Sequence, residues 1–161
     1  MIRRTLLAVA CVAALTAPAV AQDMDVADVA AAQPDASTFV AAAEEIGLTE
    51  ALHGPGPFTL FIPSDTAFAS LPPGTWDEMM APVNRGRLAA TMGYHVVHGS
   101  AVMAAQIAAA GDPGIRAVAG EDLAVLRNGA LIDGAKILRG DIAASNGVIH
   151  IIDTVLLPPP Q

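Results

Sequence analysis

The stretch Ser145-Asn146-Gly147-Val148-Ile149-His150-Ile151-Ile152-Asp153-Thr154-Val155-Leu156-Leu157-Pro158 lies near the end of the 161-residue sequence and decides the fold. Asn-Gly is a strong turn signal because both residues tolerate positive φ, and a β-branched run follows at once. Strand side chains alternate between two faces, and both faces of this run are mostly apolar apart from His150. We therefore predict a strand covered on both sides, with positive φ at Gly147 and at Gly129 of a second Asn-Gly pair.

The preceding chain places helices before strands. Apolar residues at helical spacing predict helices over residues 25–32, 38–46, 48–52, 83–92 and 102–110. Aromatic and β-branched runs predict strands over residues 58–62, 94–97, 115–118, 123–127, 130–133 and 135–138. Ser64 or Asp65 is expected to cap a short helix. Helices first and strands last favour an α+β fold.

Three motifs follow one another along most of the chain. They are FTLFIPSDTAF over residues 58–68, YHVV over residues 94–97 and NGVIHIIDTVLLP over residues 146–158. Together they resemble the signatures of the fasciclin-like domains, a family of extracellular adhesion and interaction modules. The resemblance implies an α+β fold, a β-sandwich wedge with several short helices packed at one end.

The same resemblance implies one fasciclin-like domain over residues 22–161 and no established catalytic centre. It assigns structural or adhesion-linked roles to the motif residues Phe58, Pro63, Ser64, Asp65, Phe68, Tyr94, His95, Asp141, Ile142, Asn146, Gly147, His150 and Asp153.

The first 21 residues have the pattern of a secretory signal peptide. A basic end at Arg3-Arg4 precedes an apolar run too short for a stable membrane anchor, and Ala19-Val20-Ala21 is a small-x-small cleavage site. We expect cleavage after Ala21, no membrane span, and a secreted or periplasmic location. Lipidation at Cys11 is the alternative, but the segment before Cys11 is very short and lacks the usual Leu. Simple cleavage leaves a mature chain without cysteine.

The charge balance is acidic. The sequence has 8 basic and 16 acidic residues, a net charge of −8, which becomes −10 without Arg3 and Arg4. Such a surface repels phosphate backbones and anionic lipid, so a nucleic-acid partner is not expected. The partner is expected to be neutral or cationic. An acidic polysaccharide would be met at the few arginines, Arg85, Arg87, Arg127 and Arg139.

Two histidine patterns could carry chemistry. His95 and His98 form His-x-x-His, but in a strand residues i and i+3 point to opposite faces, so one metal ion cannot bind both. His150 could act as a general base with Asp153 or Asp65. The structural interpretation is favoured: His150 is a neutral core histidine whose ring nitrogens bond to backbone or to the Ser64 region.

The remaining motifs give no cofactor and no metal. The sequence has no nucleophile elbow, phosphate-binding loop or calcium loop. Methionines could suggest a copper site, but at helical spacing they are more often core residues; they are Met79, Met80, Met92 and Met103. Arg139-Gly140-Asp141 is the tripeptide of integrin ligands, and here it is interpreted as ordinary turn residues.

These observations favour a non-enzymatic interaction module for cell adhesion or for binding matrix or envelope material. Its partner would be a protein or a polysaccharide, and its oligomeric state is open. One alternative is a small-ligand-binding or enzymatic envelope protein that uses His150 or His95. Another alternative is a stress-protective envelope protein.

Overall fold

The computed structural model describes residues 24–106, 115–116, 122–123, 125–126, 131–132 and 134–157. The predicted signal peptide, residues 1–21, lies outside this part of the chain. So do Gly129 and residues 107–110 of the helix predicted over residues 102–110, of which residues 104–106 are helical. Nothing in the described helices is both long and apolar enough to cross a membrane.

Six α-helices and eight strands lie wholly within the described residues. The helices are α1 (Val26–Ala31), α2 (Ser37–Glu45), α3 (Leu48–Leu52), α4 (Asp65–Ala69), α5 (Thr75–Met80) and α6 (Arg85–Tyr94), with a 3₁₀ turn at Pro82–Asn84. The strands are β1 (Phe58–Pro63), β2 (Val96–His98), β3 (Ile115–Arg116), β4 (Asp122–Leu123), β5 (Val125–Leu126), β6 (Leu131–Ile132), β7 (Ala135–Ala144) and β8 (Gly147–Ile152). The predicted α+β class is confirmed.

Six of these strands form one mixed sheet in the order β2-β1-β8-β7-β6-β5, and β3 and β4 form a separate pair. β1 and β8 are parallel, from Phe58 opposite Gly147 to Pro63 opposite Ile152. The other pairs are antiparallel. β7 is longer than predicted, because its first residues pair with β6 while the rest pairs with β8 across two irregularities. β7 therefore connects β5 and β6 to the part of the sheet formed by β8, β1 and β2.

The strand predicted to be covered on both sides is central in the sheet, and every residue of β8 is buried, as is every residue of β1. Ile149 and Ile151 belong to a core shared with the helices, whereas Ile152 belongs to a second core with Phe61. The alternation of side chains along a strand places these two cores on opposite faces of the sheet. The prediction for the final strand is confirmed.

The prediction of a strand over residues 94–97 is wrong at its start. Tyr94 is the last residue of α6, and His95 follows it in right-handed helical conformation as the C-cap. The strand β2 begins only at Val96. The two histidines of the His-x-x-His pattern do diverge, since His95 is fully buried and His98 is exposed. The cause is the helix end between them rather than strand alternation.

The expected positive φ at Gly147 is also wrong. Among the described glycines, positive φ occurs at Gly47, Gly74, Gly99 and Gly134. Gly147 instead lies where two parts of the backbone approach each other. An added Cβ would clash with the carbonyl oxygen of Phe58 and would lie 2.9 Å from Cγ1 of Val26. Space, rather than turn geometry, requires a glycine here.

Candidate functional site

His150 lies in the middle of β8 with its ring stacked on Phe61, the residue directly opposite on β1, at 5.4 Å between centroids. Its Nε2–H donates to the carbonyl oxygen of Val102 at 2.7 Å, and its Nδ1 accepts from the backbone N–H of Asp141 at 3.2 Å. Burial lowers the pKa of His150, although the Val102 carbonyl and the Asp141 carboxylate oppose this. The ring is therefore neutral at pH 7, with both nitrogens bonded to backbone.

Arg139-Gly140-Asp141 lies inside β7, at one of its irregularities, and the interpretation as an ordinary turn is wrong. The Asp141 carboxylate accepts from the N–H of Ala104 at 2.7 Å, and Asp141 has a φ of 57°. Arg139 pairs with Asp35 at 2.9 Å. Ile142, the next motif residue, is partly buried against the helix-side core. The charged groups of the tripeptide are thus bonded within the domain.

His95 connects three segments in the interior. Its Nδ1–H donates to the carbonyl oxygen of Thr91 at 2.7 Å, and its Nε2 accepts from the N–H of Leu156 at 2.9 Å. Its ring also meets Phe39 edge-on at 6.1 Å. Burial lowers the pKa of His95 to about 4, against a weaker opposing effect of the Thr91 carbonyl. His95 therefore has no free nitrogen for a metal or a proton transfer.

Ser64 and Asp65 cap two different helices. The Ser64 hydroxyl accepts from the N–H of Ala67 at 3.2 Å and so caps α4, as predicted. The Asp65 carboxylate accepts from the N–H of Thr38 at 2.9 Å and from the hydroxyl of Ser37 at 2.7 Å, at the start of α2. Burial opposes its charge, but these hydrogen bonds hold the pKa of Asp65 below its usual value. Neither residue approaches His150 through a hydrogen bond in the described structure.

Asn146 ties the final turn to three other segments. Its Oδ1 accepts from the N–H of Val26 at 2.8 Å, and its Nδ2 donates to the carbonyl oxygens of Leu52 and Gly54, both at 2.9 Å. Its own carbonyl oxygen accepts from the N–H of Phe58 at 3.0 Å. The sequence indicated a turn residue, whereas the structure gives Asn146 a long-range role that no local pattern shows.

The other motif residues also build the fold. Phe58 and Phe68 are buried in the helix-side core, where Phe68 meets Trp76 edge-on at 4.7 Å, and Tyr94 is buried in the second core. Pro63 ends β1 opposite Ile152. Asp153 continues the pairing beyond β8, because its Oδ1 accepts from the N–H of Lys136 at 2.8 Å.

One cluster of titratable groups was missed by the sequence patterns. His53 Nδ1 lies 2.6 Å from Asp25 Oδ2, and Asp28 lies beside them. Hydrogen bonding to Asp25 raises the pKa of His53. Burial opposes the charge of Asp25, but the Asp28 N–H and His53 together lower its pKa. Asp25 and His53 are 28 residues apart, so only the fold brings them together.

The outer surface carries paired charges and a shallow cleft. Arg85 lies 3.3 Å from Glu45, and Arg87 lies 3.6 Å from Glu78. A mostly apolar cleft of about 530 Å³ lies beside the edge strand β2, lined by residues that include Leu48, Pro55 and His98. In the described part of the chain, Asn146 and Gly147 line one open cleft and Asp65 and Phe68 another, while His95 and His150 line neither. The bonds of the motif side chains stabilise the fold that carries the exposed surface.

A model of the Fasciclin domain matches residues 34–158. Protein sll1483 of Synechocystis is 42% identical over 138 residues, which cover 84% of this chain and 74% of that protein. The cell surface glycolipoprotein MPB83 of Mycobacterium bovis is 32% identical over 148 residues, 88% of this chain and 63% of that protein. Transforming growth factor-beta-induced protein ig-h3 of Sus scrofa is 35% identical over 129 residues, 76% of this chain and 18% of that protein.

Among solved structures, the FAS1 domain pair of the insect cell adhesion molecule Fasciclin I superimposes with a TM-score of 0.71. The match covers 84% of this chain and 51% of that chain, at 16% sequence identity. At this identity the likeness shows a shared fold, which agrees with the wedge and the short helices predicted from the three motifs.

Proposed function

The chain belongs to the fasciclin domain family, and on that premise we propose that it is a non-enzymatic interaction module of the cell envelope. It is exported to the periplasm or beyond and binds a protein or a polysaccharide through its surface. The basic and apolar N-terminal segment with Ala19-Val20-Ala21 supports export. The relative MPB83, whose name describes a cell surface protein, supports a place outside the cytoplasm.

The observation that carries the proposal is the internal use of the motif side chains. His95 and His150 each have both ring nitrogens bonded to backbone groups, and Asp65 caps α2. A general base needs a free nitrogen within reach of substrate, and neither buried ring offers one. The motif therefore supports the fold, which leaves recognition to exposed residues and disfavours an enzyme built on His95 or His150.

The charges of the surface favour a neutral or cationic partner. The chain without Arg3 and Arg4 carries a net charge of −10, and like charges slow encounter. Arg85, Arg87 and Arg139 each already have a carboxylate partner. An acidic polysaccharide would have to compete with these carboxylates, so we place it below a neutral or cationic partner.

The test compares surface and interior variants of residues 22–161 in a pull-down from envelope and extracellular material. His150→Gln changes the interior alone, and a variant with Arg85, Arg87, Arg127 and Arg139 all replaced by Ala changes the surface. Circular dichroism and thermal melting check that each variant is folded. We expect captured material to be retained by His150→Gln and to lose any acidic polysaccharide in the arginine variant.

The proposal fails if a folded His150→Gln protein captures nothing while the arginine variant captures everything that the parent does. That result would place the functional site in the interior. Raised ionic strength separates the partner types, because a cationic partner is released by salt and a neutral one is not.

A further inference from the structure

A compact group of metal-ligating atoms lies at the junction of α1 and α3. One oxygen each from Asp25 and Asp28 and one ring nitrogen of His53 all lie within 4.8 Å of one another. The group contains an imidazole as well as two carboxylates. Mixed nitrogen and oxygen ligands are typical of zinc and related divalent transition metals, whereas calcium takes six to eight oxygens.

The two carboxylates are held by the start of α1. Asp25 is the N-cap, and its Oδ1 accepts from the N–H groups of Ala27 and Asp28, both at 3.0 Å. Its second oxygen, Oδ2, is directed to His53 at 2.6 Å. Asp28 is three residues further along, and side chains at i and i+3 share one face of a helix. One oxygen of Asp25 thus caps the helix while the other is bonded to His53, the third residue of the group.

The histidine is held against that helix by Asn146. The Asn146 side chain bonds to the backbone of Val26, next to Asp25, and to the backbone of Leu52 and Gly54 on either side of His53. The backbone on which two of the three ligands stand is therefore fixed from one point. A ligand set arranged before binding loses less entropy when the metal is taken up.

We propose that Asp25, Asp28 and His53 bind a divalent transition-metal ion of the zinc class, with water in the fourth position. Asp28 and His53 also line a cavity of about 200 Å³ with Phe39 and Leu52 among its other walls, which gives the water room. In the metal-free state a proton joins His53 to Asp25. The ion replaces it, and tetrahedral bonds of about 2.0–2.2 Å separate the two ligand atoms to roughly 3.3 Å. The His53 side chain is 44% exposed, which leaves it free to make this small movement.

The proposal departs from the expectation of no metal, which rested on His95, His98 and the methionines. The bound ion would link α1 to the end of α3 and so stabilise the folded state. Binding to the folded state alone raises the melting temperature. This effect is independent of the proposed adhesion, so either proposal can fail without the other.

The experiment titrates zinc chloride into tag-free, chelator-treated protein of residues 22–161 by calorimetry. We expect one saturable site in the parent. His53→Ala and Asp28→Asn should each weaken zinc binding by about tenfold or more. Both side chains are exposed, and neither is a helix cap acceptor, so these variants should fold. Asp25→Asn is avoided because Asp25 caps α1.

Matched controls are His98→Ala, an exposed histidine on β2, and Asp77→Asn, an exposed aspartate in the first turn of α5. Both should bind zinc as the parent does and should show the same zinc-dependent rise in melting temperature. Cobalt should give the absorption spectrum of a tetrahedral site in the parent and lose it in His53→Ala. The proposal is overturned if the parent shows no saturable zinc site, or if His53→Ala binds zinc as tightly as the parent.

Discussion

The two ends of the β7–β8 hairpin are built from similar residues but are held very differently. The turn end, Ser145–Gly147, and the bulge end, Arg139–Asp141, each combine a glycine with an Asn or an Asp. At the turn end, Asn146 binds α1, the end of α3 and the start of β1. At the bulge end, Asp141 binds the ring of His150 and the N–H of Ala104.

The two glycines differ in the atoms that an added Cβ would meet, and those atoms decide how much stability a Gly→Ala substitution loses. A Cβ on Gly147 would meet the backbone of Phe58 in a central strand, which cannot move alone. A Cβ on Gly140 would meet Nδ1 of His150 at 3.0 Å, a longer approach than at Gly147 and to a side-chain atom rather than to backbone. The turn end is therefore rigid, and the bulge end can adapt.

Replacement of Gly147 by Ala should give the largest effect, since the new Cβ forces β1 and β8 apart at their parallel pairing. We expect a loss of about 3 kcal/mol or more in the free energy of unfolding, measured by urea denaturation. A loss below about 1 kcal/mol would show that the turn end adapts as the bulge end does.

Asn146→Ala should follow, with a loss of about 2–3 kcal/mol, because it removes three hydrogen bonds and leaves partly buried backbone groups of Val26 and Leu52 without partners. The matched control is Asn84→Ala, whose amide makes one exposed bond to the Glu78 carbonyl. That control should lose less than about 1 kcal/mol. Equal losses of stability in the two variants would show that the bonds of Asn146 at the turn end stabilise the fold no more than one exposed hydrogen bond does.

Lowering the pH should reduce the free energy of unfolding through His150, which lies at the bulge end. This reduction should be smaller than the loss caused by Asn146→Ala at the turn end. Burial lowers the pKa of His150 below 6.5. As the pH falls below 6.5, His150 is therefore protonated in the unfolded chain before it is protonated in the folded chain. Stability is therefore unaffected by His150 above pH 6.5 and falls as the pH drops below that value. Urea midpoints of the parent between pH 7 and pH 5 should contain this decline, partly offset by His53, whose raised pKa adds stability as the pH falls.

The comparison variant is His150→Gln, in which this decline should be reduced. It should not vanish, because His95, with a pKa of about 4, keeps its own share in the same direction. Asn146→Ala should keep the full decline of the parent. An unchanged pH dependence in His150→Gln would mean that the His150 ring takes up its proton at the same pH in the folded and the unfolded chain, so that burial does not shift its pKa.

Gly140→Ala should have the smallest effect, about 1 kcal/mol, since the neighbouring ring can yield. Asp141→Asn should be close to neutral, because Asn tolerates a φ of 57° and keeps an acceptor for Ala104. Thermal melting of both beside Gly147→Ala gives the contrast directly. A Gly140→Ala loss as large as that of Gly147→Ala would contradict the adaptable bulge.

Much of the fold follows from local sequence, because its signals act over a few residues. An apolar run with both strand faces apolar predicted the doubly covered β8, and Ser64 after a strand indicated the cap of α4. The misses arise where tertiary contacts outweigh local preference. Tyr94 and His95 extend α6 because the His95 ring bonds both Thr91, one turn back, and Leu156.

The sites were harder to predict than the elements. Arg139–Asp141 looks like a turn, and only the pairing of β7 with both β6 and β8 makes it a bulge. Asp25 and His53 belong to no common sequence motif. Their segments are joined in the fold by the hydrogen bonds of Asn146 to the neighbouring backbone of Val26 and Gly54. Side chains that act across the fold give no signal at fixed spacing.

The parallel pairing of β1 with β8 also orders events in time. β1 is made early and its central neighbour β8 is made last among the described strands, so a growing chain keeps one edge of β1 open until β8 has been made. Non-local pairing of this kind slows folding because the intervening chain must first be closed into a loop.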